Sequence, residues 1–184
     1  TTFEIMVAKT YDSEKSFDLA EKFRLLILSL GDVNYETISD TSVLQLISLI
    51  LKKDCKTKDI LNIDKDKFIA TWDDAIESIK SSVDYFRTFY RIPVSKLLPY
   101  NALIVPFAYF FYHNKDKPTG NKQKYLQDFF WRVALTARYS SAQESRLTQD
   151  IKRIDKILSE ELPKYDLPID MSSNFIKNNG GFSA

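Results

Sequence analysis

The chain has 184 residues, of which 44% are hydrophobic and 14% aromatic, and this composition excludes an intrinsically disordered protein. The formal net charge of +1 excludes a global attraction to nucleic acid or anionic membrane, so any basic surface must be local. Single copies of cysteine (Cys55) and histidine (His113) exclude an internal disulfide and the usual structural zinc sites, and they favour a cytoplasmic protein.

Apolar residues recur at helical spacing from the first residues onward. The pattern predicts helices at about Phe3–Thr10, Phe17–Leu30 and Val43–Lys53. The longest predicted helix runs from about Asp64 to Ile92, with one apolar stripe along its length. At 1.5 Å per residue it would be about 40 Å long, enough to form the spine of a domain.

The most apolar run of the chain, Leu97–Tyr112, is shorter than the roughly 20 residues that a membrane helix needs. We therefore interpret it as a buried core segment and expect no membrane association. Pro99 fits the first turn of a helix here, and Pro106 predicts a kink within that helix. Further on, Ser141 starts a capping-box pattern, which predicts that one helix ends and the last long helix begins there.

These elements predict a single all-α helical bundle of six or seven helices, with one long spine helix and one Pro-kinked helix. Residues 1–162 are expected to form the helical domain, and residues 163–184 a partly irregular C-terminal extension. The chain opens with TTFEIMVAKT, which lacks an initiating methionine and already has helical periodicity. We therefore expect the domain to be excised from a longer protein.

The stretch FFWRVALTARYSSAQESRLTQDI, Phe129–Ile151, is apolar on two sides of a helix, which indicates a helix in the middle of a bundle. On this basis Trp131 is predicted to lie in the core with its apolar neighbours. Arg138 has two interpretations. It is either tethered by a carboxylate or by helix C-terminal carbonyls, or it emerges with Tyr139 and Ser140 to grip a phosphate.

A basic strip is the second candidate feature. Arg132, Arg138, Arg146 and Lys152 could together contact DNA phosphates. However, Asp150 lies four residues after Arg146 and three before Arg153, so intrahelical pairing explains these arginines as well.

No catalytic site is predicted. The chain contains no GxxxxGK[ST], GxGxxG or GxSxG motif. His113 is expected at the surface, and Cys55 has no partner histidine that would activate it. We assign no catalytic residue, metal ligand or cofactor to the chain.

Four segments, taken in order, resemble one family: TTFEIMVAKTY with FDLAEKF, then CKTKDILNI followed by a helix with a central Trp72, then LLPYNALIVPFAYFF, and finally YLQDFFWRVALTARYSSAQESRLTQDIKRI. Together they resemble the helical region that follows the nuclease-type domain of bacterial GmrSD-like proteins. The resemblance covers Thr1 to about Leu158. Its best markers are Pro99, Tyr100, Trp131, Arg138, Tyr139 and Ser140.

The resemblance implies a function for the parent protein rather than for this segment. In the family, chemistry belongs to an N-terminal ParB/sulfiredoxin-like domain with an Asp-Gly-Gln-Gln-Arg motif, which is absent here. Members with known roles restrict modified phage DNA and use nucleotide and divalent metal. The segment would then be a non-catalytic scaffold for the ParB-like domain of the same chain, with homodimerisation as a further expectation. The alternative is a module that contacts DNA directly.

Overall fold

The computed structural model describes residues 1–166, and this part of the chain is all helical apart from its turns and loops. The all-α prediction is confirmed, although the described residues form 8 α-helices instead of six or seven. Short 3-10 turns at Ser95–Leu97, Asn101–Leu103 and Arg138–Ser140 connect the later helices. The α-helices are α1 (Thr2–Thr10), α2 (Leu19–Gly31), α3 (Asp40–Lys52), α4 (Thr57–Leu61), α5 (Lys65–Thr88), α6 (Ile104–His113), α7 (Gly120–Ala134) and α8 (Gln143–Leu158).

The core is organised around α6. Every residue from Ile104 to Phe111 is buried, so this helix has neighbours on all sides. α5 packs along it most extensively, and α3 and α8 cover its other faces. The prediction that the segment Leu97–Tyr112 lies in the core is confirmed for residues 102–111, whereas Leu97, Pro99 and Asn101 at its start are exposed.

α5 is the spine helix that the sequence predicts. It has 24 residues, and the side chain of Asp64 caps its first turn by accepting a hydrogen bond from the Lys67 amide at 3.0 Å. The helix ends before the predicted Ile92, because Arg91 adopts a left-handed conformation with φ 58°. The Ile92 amide then turns back to the carbonyl of Phe86 at 3.0 Å.

The predicted Pro-kinked helix takes a different form. Pro106 is the third residue of α6, within the first turn, where a missing N–H removes no intrahelical hydrogen bond. The 3-10 turn Asn101–Leu103 runs directly into α6, so the proline marks a change of helix type instead of a kink. Pro99 precedes that 3-10 turn and does not lie in a helix.

The predicted capping box at the start of α8 is wrong. The residue before the helix is Ala142, in a left-handed conformation with φ 49°, and no side chain caps the first turn. Ser141 is extended and follows the 3-10 turn Arg138–Ser140. The guanidinium of Arg146 donates to the carbonyl of Arg138, and this contact ties the 3-10 turn to the first turn of α8.

The segment after α8 packs back onto the helices as far as it is described. Pro163 is buried and Tyr165 is half-buried. The remainder of the predicted C-terminal extension, residues 167–184, lies outside the described residues. Within residues 1–166, no helix has the length and apolar character needed to cross a membrane.

Candidate functional site at the junction of α7 and α8

A fully buried carboxylate lies at the centre of the junction between α7 and α8. Asp150, on α8, accepts hydrogen bonds from Arg138 Nε at 2.9 Å to each oxygen and from Arg153 Nη1 at 2.7 Å. The hydroxyl of Tyr139 donates to the same carboxylate at 2.7 Å. We call Arg138, Tyr139, Asp150 and Arg153 the Asp150 cluster.

The Asp150 cluster is shielded from solvent. The side chain of Asp150 is 0% exposed, and those of Arg138 and Arg153 are 13% and 11% exposed. A buried carboxylate is tolerated only when charged partners and hydrogen bonds replace its hydration, and here two guanidinium groups and a phenol do so. Burial, together with the adjacent Asp150 charge, raises the pKa of Tyr139 well above its ordinary value. Tyr139 therefore keeps its proton and acts as a donor.

The chain after α8 covers this cluster. Arg153 Nε donates to the carbonyl of Lys164 at 3.0 Å, and Arg153 Nη2 bonds to the Asp166 carboxylate at 3.1 Å. The ring of Tyr165 lies over the guanidinium groups of Arg132 and Arg153, at 4.4 and 5.3 Å from its centroid. Cation–π contacts of this kind stabilise packing between arginine and tyrosine.

The cavity that remains at the junction is small. It measures about 20 Å³ and is lined by residues that include Arg132, Arg138, Asp150 and Tyr165. This volume is close to what one water molecule needs. The Tyr165 hydroxyl is buried without a hydrogen-bond partner in the described structure. The junction therefore has room for a bridging water but not for a substrate.

Three of the four residues predicted to contact DNA already bind internal partners. Arg132 Nε donates to Asp128 at 2.9 Å, Arg138 belongs to the Asp150 cluster, and Arg146 binds the Arg138 carbonyl. Lys152 is exposed on α8 and forms no salt bridge within residues 1–166. Arg132 and Arg138 line the same small cavity, so the structure brings them together underneath Tyr165.

The residues that mark the resemblance described above converge in part. The ring of Tyr100 packs edge-on against Tyr139, with centroids 6.1 Å apart, so the segment before α6 reaches the Asp150 cluster. Pro99, beside it, is exposed. Ser140 donates to the carbonyl of Ala137 at 2.6 Å, which closes the 3-10 turn.

The prediction that Trp131 lies in the core is wrong. Trp131 is 47% exposed, whereas Phe129, Phe130 and Val133 are buried as predicted. The indole packs edge-on against the ring of Phe130 at 5.2 Å and otherwise faces outward.

Sequence reasoning missed two features of the junction. It recognised Asp150 as a partner for Arg146 and Arg153 on its own helix, and the contact with Arg153 confirms that half of the prediction. The other half is wrong, because Arg146 binds the carbonyl of Arg138 instead of Asp150. It did not connect Asp150 with Arg138 and Tyr139, twelve and eleven residues earlier in the chain. It also assigned no role to Tyr165, although an isolated aromatic residue in a polar segment is a signal that could have identified an anchor.

Two further candidate groups, Cys55 and His113, lie in different environments. Cys55 is fully buried, and burial raises the pKa of its thiol to about 11, so it remains protonated at neutral pH. His113 is exposed, as predicted, and packs against the ring of Tyr109 at 4.7 Å. Among residues 1–166, no group of three or more His, Cys, Asp or Glu side chains could hold a metal ion.

Comparison with known proteins adds no further assignment, because no family model, curated protein or solved structure matches the chain.

Proposed function

We propose that the chain is a non-catalytic helical scaffold of a GmrSD-like bacterial defence protein, and that it docks the ParB-like nuclease domain through α1 and α2. The observation that carries this proposal is the distribution of exposed apolar side chains. Four of the seven large hydrophobic side chains exposed in the described structure fall within its first 28 residues: Ile5, Tyr11, Leu25 and Leu28.

α2 has the form expected of a docking helix. Its inner side buries Leu26 and Leu30, whereas Leu25 and Leu28 are 48% and 56% exposed on its outer side. A helix with apolar residues on two sides is stabilised by neighbours on both. Within the described chain, α1 is its main helical neighbour, through contacts that include the edge-on rings of Phe3 and Phe23 at 5.4 Å.

The junction of α7 and α8 favours the scaffold over direct DNA contact. The guanidinium groups of Arg132, Arg138 and Arg146 make hydrogen bonds within the domain, and these bonds engage part of their donor capacity and fix their positions. We therefore assign the Asp150 cluster a structural role, in which it fixes the end of α7 against α8.

In this proposal, nucleotide and divalent metal act at the ParB-like domain of the parent protein, which functions in the cytoplasm. The helical domain described here contributes no catalytic residue and no cofactor ligand. Its contribution is to hold the nuclease domain in place through the exposed side of α2.

The test is a calorimetric titration of the 184-residue chain with the ParB-like domain of its parent protein. The Leu25→Glu/Leu28→Glu variant places two charges on the exposed side of α2 and is expected to abolish binding. The matched control is Leu97→Glu/Leu162→Glu, which changes two leucines that are 60% and 62% exposed elsewhere. It is expected to bind as the natural chain does.

Two outcomes would overturn the proposal. One is no binding by the natural chain, and the other is equal loss of binding in both variants. A third possibility is that this surface binds a second copy of the chain. The mass of the chain in solution tests it: the natural chain would then be a dimer, and only the Leu25→Glu/Leu28→Glu variant would be a monomer.

A further inference from the structure

The segment after α8 lies between α7 and α8 in the manner of a bound peptide. Residues 159–162 are exposed where the chain leaves α8, and they form a hinge. The next four residues, Pro163–Asp166, pack back against both helices, and we call them the strap. The strap groove is the surface of α7 and α8 that the strap covers. It includes Phe129, Arg132 and Arg153.

The strap groove contacts three different chemical features of the strap. Arg153 Nε donates to the main-chain carbonyl of Lys164, a contact that any residue at this position could make. The carboxylate of Asp166 accepts from Arg153 Nη2, and the ring of Tyr165 lies against the guanidinium of Arg132. Main-chain hydrogen bonds give affinity for a short peptide, and seats for particular side chains give specificity. The groove is therefore built to recognise an aromatic residue that is followed by an acidic residue.

The charges of the strap groove match a single carboxylate. Three arginines and two aspartates of the helices and the turn between them meet at the groove: Arg132, Arg138 and Arg153, with Asp128 and Asp150. The third carboxylate of this network comes from Asp166, in the strap. Without the strap, three guanidinium groups would face two carboxylates. One acidic side chain restores the balance.

The strap can leave the groove without separating α7 from α8. Asp166 is 82% exposed, and ion pairs with such exposed partners contribute little to stability. A cavity of about 20 Å³ remains beside Tyr165, so the ring is packed less densely than a core residue. The contact of Arg138 with Asp150 holds the two helices together and involves no atom of the strap. Local opening of the strap is therefore expected to require less free energy than unfolding of the domain.

We propose that the strap groove is a docking site for a peptide segment of a partner protein, and that the strap occupies it as an autoinhibitory segment. The partner segment has an aromatic residue followed by an acidic residue. Its ring takes the place of Tyr165 beside Arg132, and its carboxylate takes the place of Asp166 on Arg153. A short tether gives the strap an effective concentration on the order of millimolar, so only a partner that competes with it is bound. This assignment does not depend on the docking of α2.

The test is fluorescence anisotropy with a labelled peptide that has the sequence of Glu160–Asp166. The Tyr165→Ala/Asp166→Ala variant empties the groove and is expected to bind this peptide at least about tenfold more tightly than the natural chain does, because the competing strap is lost. The control is Glu161→Ala/Leu162→Ala, which changes two exposed residues of the hinge. Its affinity for the peptide is expected to equal that of the natural chain. Peptides with alanine in place of the tyrosine or the aspartate are expected to bind neither protein.

The natural chain shows whether the strap can be displaced. It is expected to bind the peptide saturably at higher concentration, a result that a permanently fixed segment would not give. Absence of this binding, or equal affinity of the natural chain and the Tyr165→Ala/Asp166→Ala variant, would overturn the proposal. Loss of helical structure in that variant, monitored by circular dichroism, would also overturn it, because the strap would then belong to the core.

Two further measurements test the identity of the partner. A natural chain that is a dimer in solution, and that becomes a monomer in Tyr165→Ala/Asp166→Ala, would assign the groove to the strap of a second copy. Tighter binding of a single-stranded oligonucleotide than of the peptide by the same variant would assign it to nucleic acid. Either result would overturn a partner peptide as the ligand.

Discussion

Asp150 is the residue on which the junction of α7 and α8 depends, because it is the shared acceptor of two buried guanidinium groups and one buried hydroxyl. Asp150→Asn keeps the shape of the side chain but removes its charge, and leaves Arg138 and Arg153 without a buried counterion. We expect the free energy of unfolding to fall by about 3–5 kcal/mol, as for other broken buried ion pairs. Urea denaturation measures this change.

The control for Asp150 is Asp73→Asn, on the exposed side of α5. Its free energy of unfolding should stay within about 0.5 kcal/mol of the natural chain, as is usual for surface substitutions. A similar small effect at Asp150 would show that water reaches the carboxylate and that the cluster does not hold the two helices together.

The titration of Cys55 is expected to make the free energy of unfolding depend on pH in the alkaline range. Burial raises the pKa of its thiol from 9.0 to about 11, so the folded chain keeps a proton that the unfolded chain loses in this range. The free energy of unfolding should therefore decrease as the pH rises from about 9 to about 11, by on the order of 2 kcal/mol. Below pH 9 the thiol is protonated in both states and contributes no slope.

Urea denaturation at pH 7.5 and at pH 10.5 tests the contribution of Cys55. In Cys55→Ala the decrease between the two pH values should be smaller than in the natural chain. Tyr85, whose pKa is raised to about 12, titrates in both proteins and leaves a common slope. If the free energy of unfolding decreased equally in the natural chain and in Cys55→Ala, burial would not raise the pKa of the thiol.

At the scale of single elements, α7 shows how two neighbouring aromatic residues differ in energetic importance. Phe130 is 2% exposed and stacks on Tyr90 with centroids 4.1 Å apart, whereas Trp131 is 47% exposed. We expect Phe130→Ala to lower the free energy of unfolding by about 3–5 kcal/mol through loss of core packing. Trp131→Ala should cost less than about 1 kcal/mol. Equal decreases in the free energy of unfolding, measured by urea denaturation, would show that Trp131 contributes as much to core packing as Phe130 does.

Periodicity predicted the elements that bury a wide apolar stripe, and α5 is the clearest example. Its Phe68, Trp72, Ile79 and Phe86 are all buried along one side, as expected. The same reasoning failed for Trp131, because a helical wheel shows that a face is apolar but not whether a neighbour covers it.

Helix boundaries depended on contacts that a local pattern does not contain. The sequence around Ser141 favours a capping box, but the chain there enters α8 through a left-handed Ala142. The preceding 3-10 turn is held by Arg146 and by the bonds of Arg138 and Tyr139 to Asp150. These tertiary contacts are stronger than one local cap, so the turn takes the geometry that they require.

At the scale of the whole molecule, the buried helix α6 separates two surfaces with different characters. The first 28 residues contain most of the exposed large apolar side chains, and α7 and α8 contain the arginine network. The sequence showed both sets of residues. It left open whether Arg138 binds an internal carboxylate or a phosphate, because its partner Asp150 lies on a different helical element.

Binding of duplex DNA by the whole chain is therefore expected to be weak. The formal net charge is +1, and among the predicted DNA contacts only Lys152 is without an internal partner in residues 1–166. Fluorescence anisotropy with a labelled duplex, at low and at near-physiological salt, is expected to give a dissociation constant at near-physiological salt no tighter than that of non-specific binding, about 10⁻⁴–10⁻⁶ M.

Two lysine variants decide how any observed binding is interpreted. Lys152→Ala removes the exposed charge on α8, and Lys58→Ala removes an exposed charge on α4. Saturable, salt-sensitive binding that weakens only in Lys152→Ala would place a DNA-contacting surface on α8 and favour the direct-contact function over the scaffold. Binding that weakens equally in both reflects net charge alone, because no single surface is then responsible. In that case the exposed leucines of α2 remain the proposed docking surface of the domain.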